Sequence, residues 1–193
     1  MVRIVGVERS GEDRRKLREI LLRHSVLRGD FVLASGKRSN LYVDCRLTTL
    51  RGDAMPQIGR LMLDLFHARG WRPQAVGGLT MGADPVACAI ARESLDTPCP
   101  VNAFVVRKAG KGHGTKRYVE GLARTEGVPC VVIDDVCTTG GSTVQAIERV
   151  RAVGMEVLGV CCMVDREAGA SARMRALGCE FAALFTLQEL LQE

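Results

Sequence analysis

The apolar positions of this chain change period several times along its length. Leu17, Ile20 and Leu21 share one helical face, and Ser10 with Asp13 three residues on predicts the cap of that first helix. FVLASGKRSNLYVDCRLTTL (31–50) reads as strand, turn, strand. Met55, Ile58, Leu61, Met62, Leu65 and Phe66 then recur at helical spacing, and Gly70 predicts the stop. From there the period alternates. AVGGL (75–79) predicts a short strand, and GADPVACAIARE a helix with Asp84 as N-cap and Pro85 in its first turn. VNAFVVR (101–107) predicts a strand, whereas 108–121 is too glycine-rich and charged for either element. PCVVID (129–134) reads as a strand, 142–154 as a helix and VLGVCCMVD (157–165) as another buried strand. A short helix near 169–177, a strand near 180–185 and a terminal helix capped by Thr186 with Glu189 complete the pattern. Such alternation predicts the α/β class: one mostly parallel central sheet with helices on both faces. Ligands of such sheets bind at the carboxyl ends of the strands.

One strand end stands out. VVIDDVCTTGGST (Val131–Thr143) runs from apolar residues into two adjacent carboxylates, Asp134 and Asp135, then into a small-residue turn and a helix. Like charges that close repel, and carboxylates near a core are costly without a partner. Backbone N–H groups of Thr139 to Ser142 can converge on a phosphate, helped by the helix dipole and by the hydroxyls of Thr138, Thr139, Ser142 and Thr143. No G-x-x-x-x-G-K-[ST] occurs, which excludes an NTPase P-loop. The acids precede the cradle and so face whatever the phosphate is attached to. The vicinal hydroxyls of a sugar would suit them.

Composition narrows the partners. The 193 residues suffice for one domain and are short for two. At 47% hydrophobic and 25% charged the chain is an ordinary globular sequence. Only 4% is aromatic, which argues against stacking on single-stranded nucleic acid. A net charge of +5 fits an anionic ligand or a nucleic acid, so its location must decide. The eight cysteines include no C-x-x-C pair, and Cys130, Cys161 and Cys162 lie in apolar runs. Buried, reduced thiols are expected, and with them a cytoplasmic location. Neither an apolar leader nor a bilayer-length run is visible, so no membrane partner is expected.

The acid pair and the turn after it are the fingerprint of the type I phosphoribosyltransferases, which the chain resembles. FVLASGKRSNLYVDCRLTTL, VGGLTMGADPVA, FVVRKAGKGHGTKRYVEG and VDRE (164–167) extend the resemblance over about residues 27–170, toward the orotate phosphoribosyltransferases. The resemblance implies one domain over 1–193, with about 1–50 contributing a small hood and about 55–185 the α/β core. It implies transfer of the ribose 5-phosphate of phosphoribosyl pyrophosphate (PRPP) to orotate, giving orotidine 5′-monophosphate and pyrophosphate in pyrimidine synthesis. Asp134 and Asp135 would hold the ribose 2- and 3-hydroxyls, and Val136, Cys137, Thr138, Thr139, Gly140, Gly141 and Ser142 would wrap the 5-phosphate. Arg107, Lys108, Lys111 and His113 match the family's R-K-x-x-K-x-H-G block, a loop (about 107–121) that covers the site of the neighbouring subunit in a homodimer. Its composition agrees: clustered cations among glycines suit a polyanion, and cations aimed at pyrophosphate stabilise its developing charge. Lys111 and His113 would thus be catalytic together with the acid pair. Arg166 and Thr138 would contact orotate, and Lys37 on the SGKRS turn is a further candidate. Mg²⁺ would be held chiefly by substrate oxygens, without a dedicated protein cage.

The chain departs from the family pattern in two places. Some branches have a substrate-contacting Lys where Ala34 stands, and a Tyr-Lys pair where Thr80 and Met81 stand. The GGLTMG turn (77–82) must then bind pyrophosphate through backbone N–H groups, or leave more to the basic loop and Mg²⁺. Two other readings share the fold. One is a transferase for another base, such as a purine. The other is a PRPP-sensing regulator that binds nucleic acid through the basic first helix (Arg14, Arg15, Lys16, Arg18, Arg23). The intact basic loop and the few residues before position 27 speak against the second. The length also leaves no room for a fused decarboxylase, so the expected product is orotidine monophosphate.

Overall fold

In the computed structural model, which describes residues 3–32, 36, 38–110 and 117–192, the alternating pattern becomes two sheets of unequal size. A long helix α1 (Arg3–His24) leads into β1 (Val26–Val32), which pairs antiparallel with β2 (Arg38–Val43). A helical turn α2 (Arg46–Thr49) and helix α3 (Met55–Ala68) connect this pair to the main sheet. The remainder runs β3 (Ala75–Leu79), α4 (Ala83–Ser94), β4 (Asn102–Val106), β5 (Val119–Glu120), β6 (Pro129–Cys137), α5 (Gly141–Ala152), β7 (Glu156–Asp165), α6 (Ala170–Ala176), β8 (Phe181–Thr186) and α7 (Leu187–Leu191). Spatial order is β5-β4-β3-β6-β7-β8, parallel except for β5.

That order contains the feature that places the site. From β3 the chain winds outward to β4, and from β6 it winds the opposite way to β7. The connections after β3 and β6 therefore diverge and leave a crevice at their carboxyl ends.

Helix layers cover both faces. Val131 and Ile133 of β6 pack with Leu17 and Leu21 of α1, Ile58 and Met62 of α3, and Ile90 of α4. Cys130 and Val132, alternate positions of the same strand, pack with Ala146, Ile147 and Val150 of α5 and Met174 of α6. Full burial of Val131, Val132 and Ile133 contributes about 1.5–3 kcal/mol each. It also pins the register, because a one-residue slip would exchange the two faces.

Several sequence expectations need correction. Ser10 lies inside α1 rather than at its cap, since no proline between Arg3 and Ser10 blocks helical backbone further upstream. Asp13, instead of capping, is buried and receives a two-pronged bond from Arg60 (2.7 and 2.8 Å), which also reaches Glu93 at 3.2 Å. This arginine ties α1, α3 and α4 together. In the 31–50 region the first strand begins at Val26, and the residues after Val43 turn helical. The cause is Asp44, whose carboxylate accepts the Arg46 N–H at 3.1 Å and bends the chain. Asp84 lies within the first turn of α4, behind Gly82 at the N-cap, and accepts the Thr80 hydroxyl at 2.6 Å. The charged 108–121 block ends in β5, antiparallel to β4, so both ends of that block meet at one place. The Thr186–Glu189 capping box forms as read.

Six cysteines are buried, but Cys88 on α4 and Cys99 in the loop after it are exposed, and all eight are free thiols. Four of the α1 cations have partners within the chain. Arg14 donates to the Leu184 carbonyl and stacks over Phe185, Arg18 donates to the Leu190 carbonyl, and Arg15 and Lys16 pair with Glu19 and Glu12. Among the described residues no helix is long and apolar enough to cross a membrane.

Candidate active site

A cleft of about 680 Å³ opens at the carboxyl ends of β3, β4, β6 and β7. Leu79 to Gly82 form one wall after β3, and Lys108 enters after β4. Asp134, Asp135, Val136, Thr138, Thr139 and Ser142 form the floor, and Arg166 closes the far side after β7. Residues Tyr42 to Arg46, from the end of β2, form the roof.

The two acids are neighbours in sequence but have different surroundings. Strand alternation sends Asp134 toward α5, where its Oδ2 accepts the hydroxyls of Ser142 (2.7 Å) and Thr143 (2.8 Å). Asp135 faces the start of α4 and accepts the Val136 N–H at 2.8 Å. A side chain at Gly82 would collide with the Asp135 carboxylate, so glycine there is what lets the acid sit against α4. Burial pushes the Asp134 carboxyl up to about 6 against the two hydroxyl bonds that oppose it, and burial likewise raises Asp135. Arg46, held by Asp44 through two 2.8 Å bonds, lies near enough to temper Asp135.

A raised carboxyl carries a definite sign. The folded state holds the Asp134 proton more tightly than the unfolded chain does, so its stabilisation is present below the ordinary 3.8 and is lost as pH rises through about 6. Between pH 5 and pH 8 that loss is on the order of 1 kcal/mol. Asp134→Asn has no such loss. The Tm of the unliganded variant relative to wild type should therefore gain on the order of a few degrees between pH 5 and pH 8. Thermal melts of both proteins at the two pH values test this; a Tm difference that stays flat or moves the other way refutes the assignment.

The cradle after the acids depends on backbone shape. Gly140 has φ of 75°, and a side chain there would also strike Met174, so the left-handed turn into α5 requires glycine. The Thr139 carbonyl accepts from Arg173 at 3.4 Å. Cys137 does not line the cleft: its thiol is buried against the Thr143 hydroxyl at 3.4 Å, so only its backbone can serve a ligand. Gly140 and Gly141 can likewise contribute only N–H groups. The Arg107 side chain turns to Glu120 at 3.2 Å rather than into the cleft. Arg166 is anchored by its N–H to the Cys137 carbonyl at 2.8 Å. Among the described residues no ion pair joins it to Glu167, whose carboxylate accepts from the Gln188 N–H. Lys37, Lys111 and His113, together with Ala34, lie outside the described residues. Met81 is exposed at the cleft wall. Sequence reading missed Tyr42, Asp44 and Arg46, although D-x-R at two-residue spacing after a strand was a visible signal.

All the ligating atoms that the acid pair and the threonines offer are oxygens, the donor type that Mg²⁺ takes. The phosphoribosyl transferase domain family matches residues 53–179, which contain both walls, the floor and Arg166. An orotate phosphoribosyltransferase of Nostoc is 41% identical over 179 residues, covering 93% of this chain and 85% of that protein.

The chain belongs to the orotate phosphoribosyltransferase family.

Solved structures of this family superpose on it. The Mycobacterium tuberculosis orotate phosphoribosyltransferase in complex with Fe(III) dicitrate is 42% identical, with a TM-score of 0.82 over 93% of this chain and 99% of that one. The same mycobacterial protein in complex with PRPP gives 0.77 at 40% identity, covering 92% of this chain and 98% of that one.

Proposed function

We propose that the protein transfers the 5-phosphoribosyl group of PRPP to a ring nitrogen of orotate, releasing pyrophosphate, as a step of pyrimidine nucleotide synthesis. The observation that carries this reading is the joint presence, around one cleft, of the acid pair, the α5 cradle and Arg166. The cradle N–H groups of Thr139 to Ser142 and the α5 dipole take the 5-phosphate. Asp134 and Asp135 then lie beside the ribose and accept its hydroxyls, with Ser142 and Thr143 releasing or sharing the Asp134 carboxylate. Arg166 offers a two-pronged donor to the carboxylate and ring carbonyl of orotate, with Thr138 on the same side.

The reaction breaks the bond between C1 of the ribose and the pyrophosphate oxygen and forms one between C1 and the base nitrogen. As that bond breaks, positive charge grows on the sugar ring, and the two carboxylates below it stabilise that charge. Negative charge grows on the leaving pyrophosphate. Lys108, the N–H groups of the Thr80–Gly82 turn and, from the partner of a homodimer, Lys111 and His113 receive it. Mg²⁺ supplies charge neutralisation of the pyrophosphate, and Asp134 and Asp135 are the oxygen donors of this chain that suit it. In this reading residues up to about 50 act as a hood over the core of about 55–185, with Tyr42 to Arg46 as its contact with substrate.

The purified protein should consume orotate only when PRPP and Mg²⁺ are both added. Adenine, hypoxanthine and uracil should turn over at least about a hundredfold more slowly, because they leave the Arg166 guanidinium without its carboxylate. Absorbance assays with each base check this, and turnover of another base with orotate untouched would reject the substrate.

A further inference from the structure

Arg149, on α5, reaches away from the acid pair toward the exit of β4. Its guanidinium donates through Nη1 to the carbonyl of Arg107 and through Nη2 to the carbonyl of Lys108 at 3.1 Å. Its Cζ also lies 4.3 Å from the centre of the Tyr118 ring. The Arg107 N–H in turn bonds the Tyr118 carbonyl at 2.8 Å. One side chain thus grips both legs of the 107–118 excursion, the outgoing leg by two carbonyls and the returning leg by an aromatic face.

The geometry has a consequence for Lys108. Successive carbonyls of an extended strand point to opposite sides, so one guanidinium can bind two in a row only where the strand bends. The chain does bend at Lys108, and Lys108 lines the cleft. We infer that Arg149 is a positioning residue for the transfer reaction: it holds the bend at Arg107 and Lys108 and so aims the Lys108 ammonium into the substrate cleft. Arg149 touches no substrate itself. This rests on the reading of Lys108 as a PRPP contact.

A kinetic double-mutant cycle tests it, with KM for PRPP, KM for orotate, kcat and Tm measured for Arg149→Ala, Lys108→Ala and the double variant. Arg149→Ala should raise the KM for PRPP about tenfold, the size of a misdirected charged contact, and leave that for orotate within about twofold. In the Lys108→Ala background the same change should add less than about twofold, because there is no longer an ammonium to aim. Arg149→Lys keeps the charge but cannot span both carbonyls, so it should show the same split at smaller size; it carries the cycle if the alanine variant does not fold. Multiplying effects in the double variant, or equal effects on both substrates, would overturn the inference while leaving Lys108 as a contact. A Lys108→Ala variant with unchanged KM for PRPP would overturn the reading of Lys108, and the inference with it.

Discussion

Co-expression of one subunit carrying Lys111→Ala with another carrying Asp134→Asn and Asp135→Asn should restore about a quarter of wild-type activity in the proposed homodimer. Each parent alone should be near zero, since losing the transition-state cation or the ribose-binding acids costs on the order of 3 kcal/mol or more, a hundredfold. In a mixed dimer the intact basic loop of the acid variant can serve the intact cradle of the loop variant. One site of two then works. Random pairing makes about half the dimers mixed, and half of their sites functional. Hybrids that form, as shown by two different affinity tags on one dimer, yet stay as inactive as their parents would place the loop over the cleft of its own subunit. The acid half of the experiment is supported by the cleft itself, where Asp134 and Asp135 form the floor beside the α5 cradle.

Arg166→Ala should raise the KM for orotate by roughly a hundredfold while that for PRPP changes by no more than a few-fold. The asymmetry follows from where the residue stands. It extends from the end of β7, across the cleft floor from the turn after β3, with its backbone fixed to Cys137 and its guanidinium unclaimed by Glu167. A two-pronged charged contact to one substrate should be lost without loosening the other. Steady-state kinetics with each substrate varied in turn decide the matter, and an equal rise in both constants would move Arg166 to a structural role.

How much of this could be read from residues alone depends on what each feature rests upon. The strands β3, β6 and β7 are uninterrupted apolar runs buried on both faces, and they were legible as such. The anion cradle was legible because its signal is local: small residues between a strand and a helix. Other features depend on neighbours distant in sequence. β6 runs to Cys137, beyond the expected end at Asp134, because Val136 and Cys137 pair with Val164 and Asp165 of β7. Only with that extension does strand alternation reach past both acids and separate their surroundings. Asp13 follows Ser10 in a capping pattern, yet its partner is Arg60, 47 positions away. Tyr42 to Arg46 reach the cleft because Val43 and Cys45 are buried in the main core, which no periodicity reports.

Helix α5 takes on a broader meaning when its two ends are considered together. Ser142 and Thr143 in its first turn hold Asp134, and Arg149, two turns on, holds the strand exit that carries Lys108. About 10 Å of stiff helix separates those contacts. The rod is bedded in the core by Ala146 and Ile147, which lie between them, and by Val150 just beyond. The helix therefore behaves as a crossbar: the sugar-facing acid and the cation beyond it cannot drift independently. Any repacking beneath Ile147 that tilts the bar shifts both together, so the tolerances of the two ends of the substrate are tied to a hydrophobic contact that touches neither.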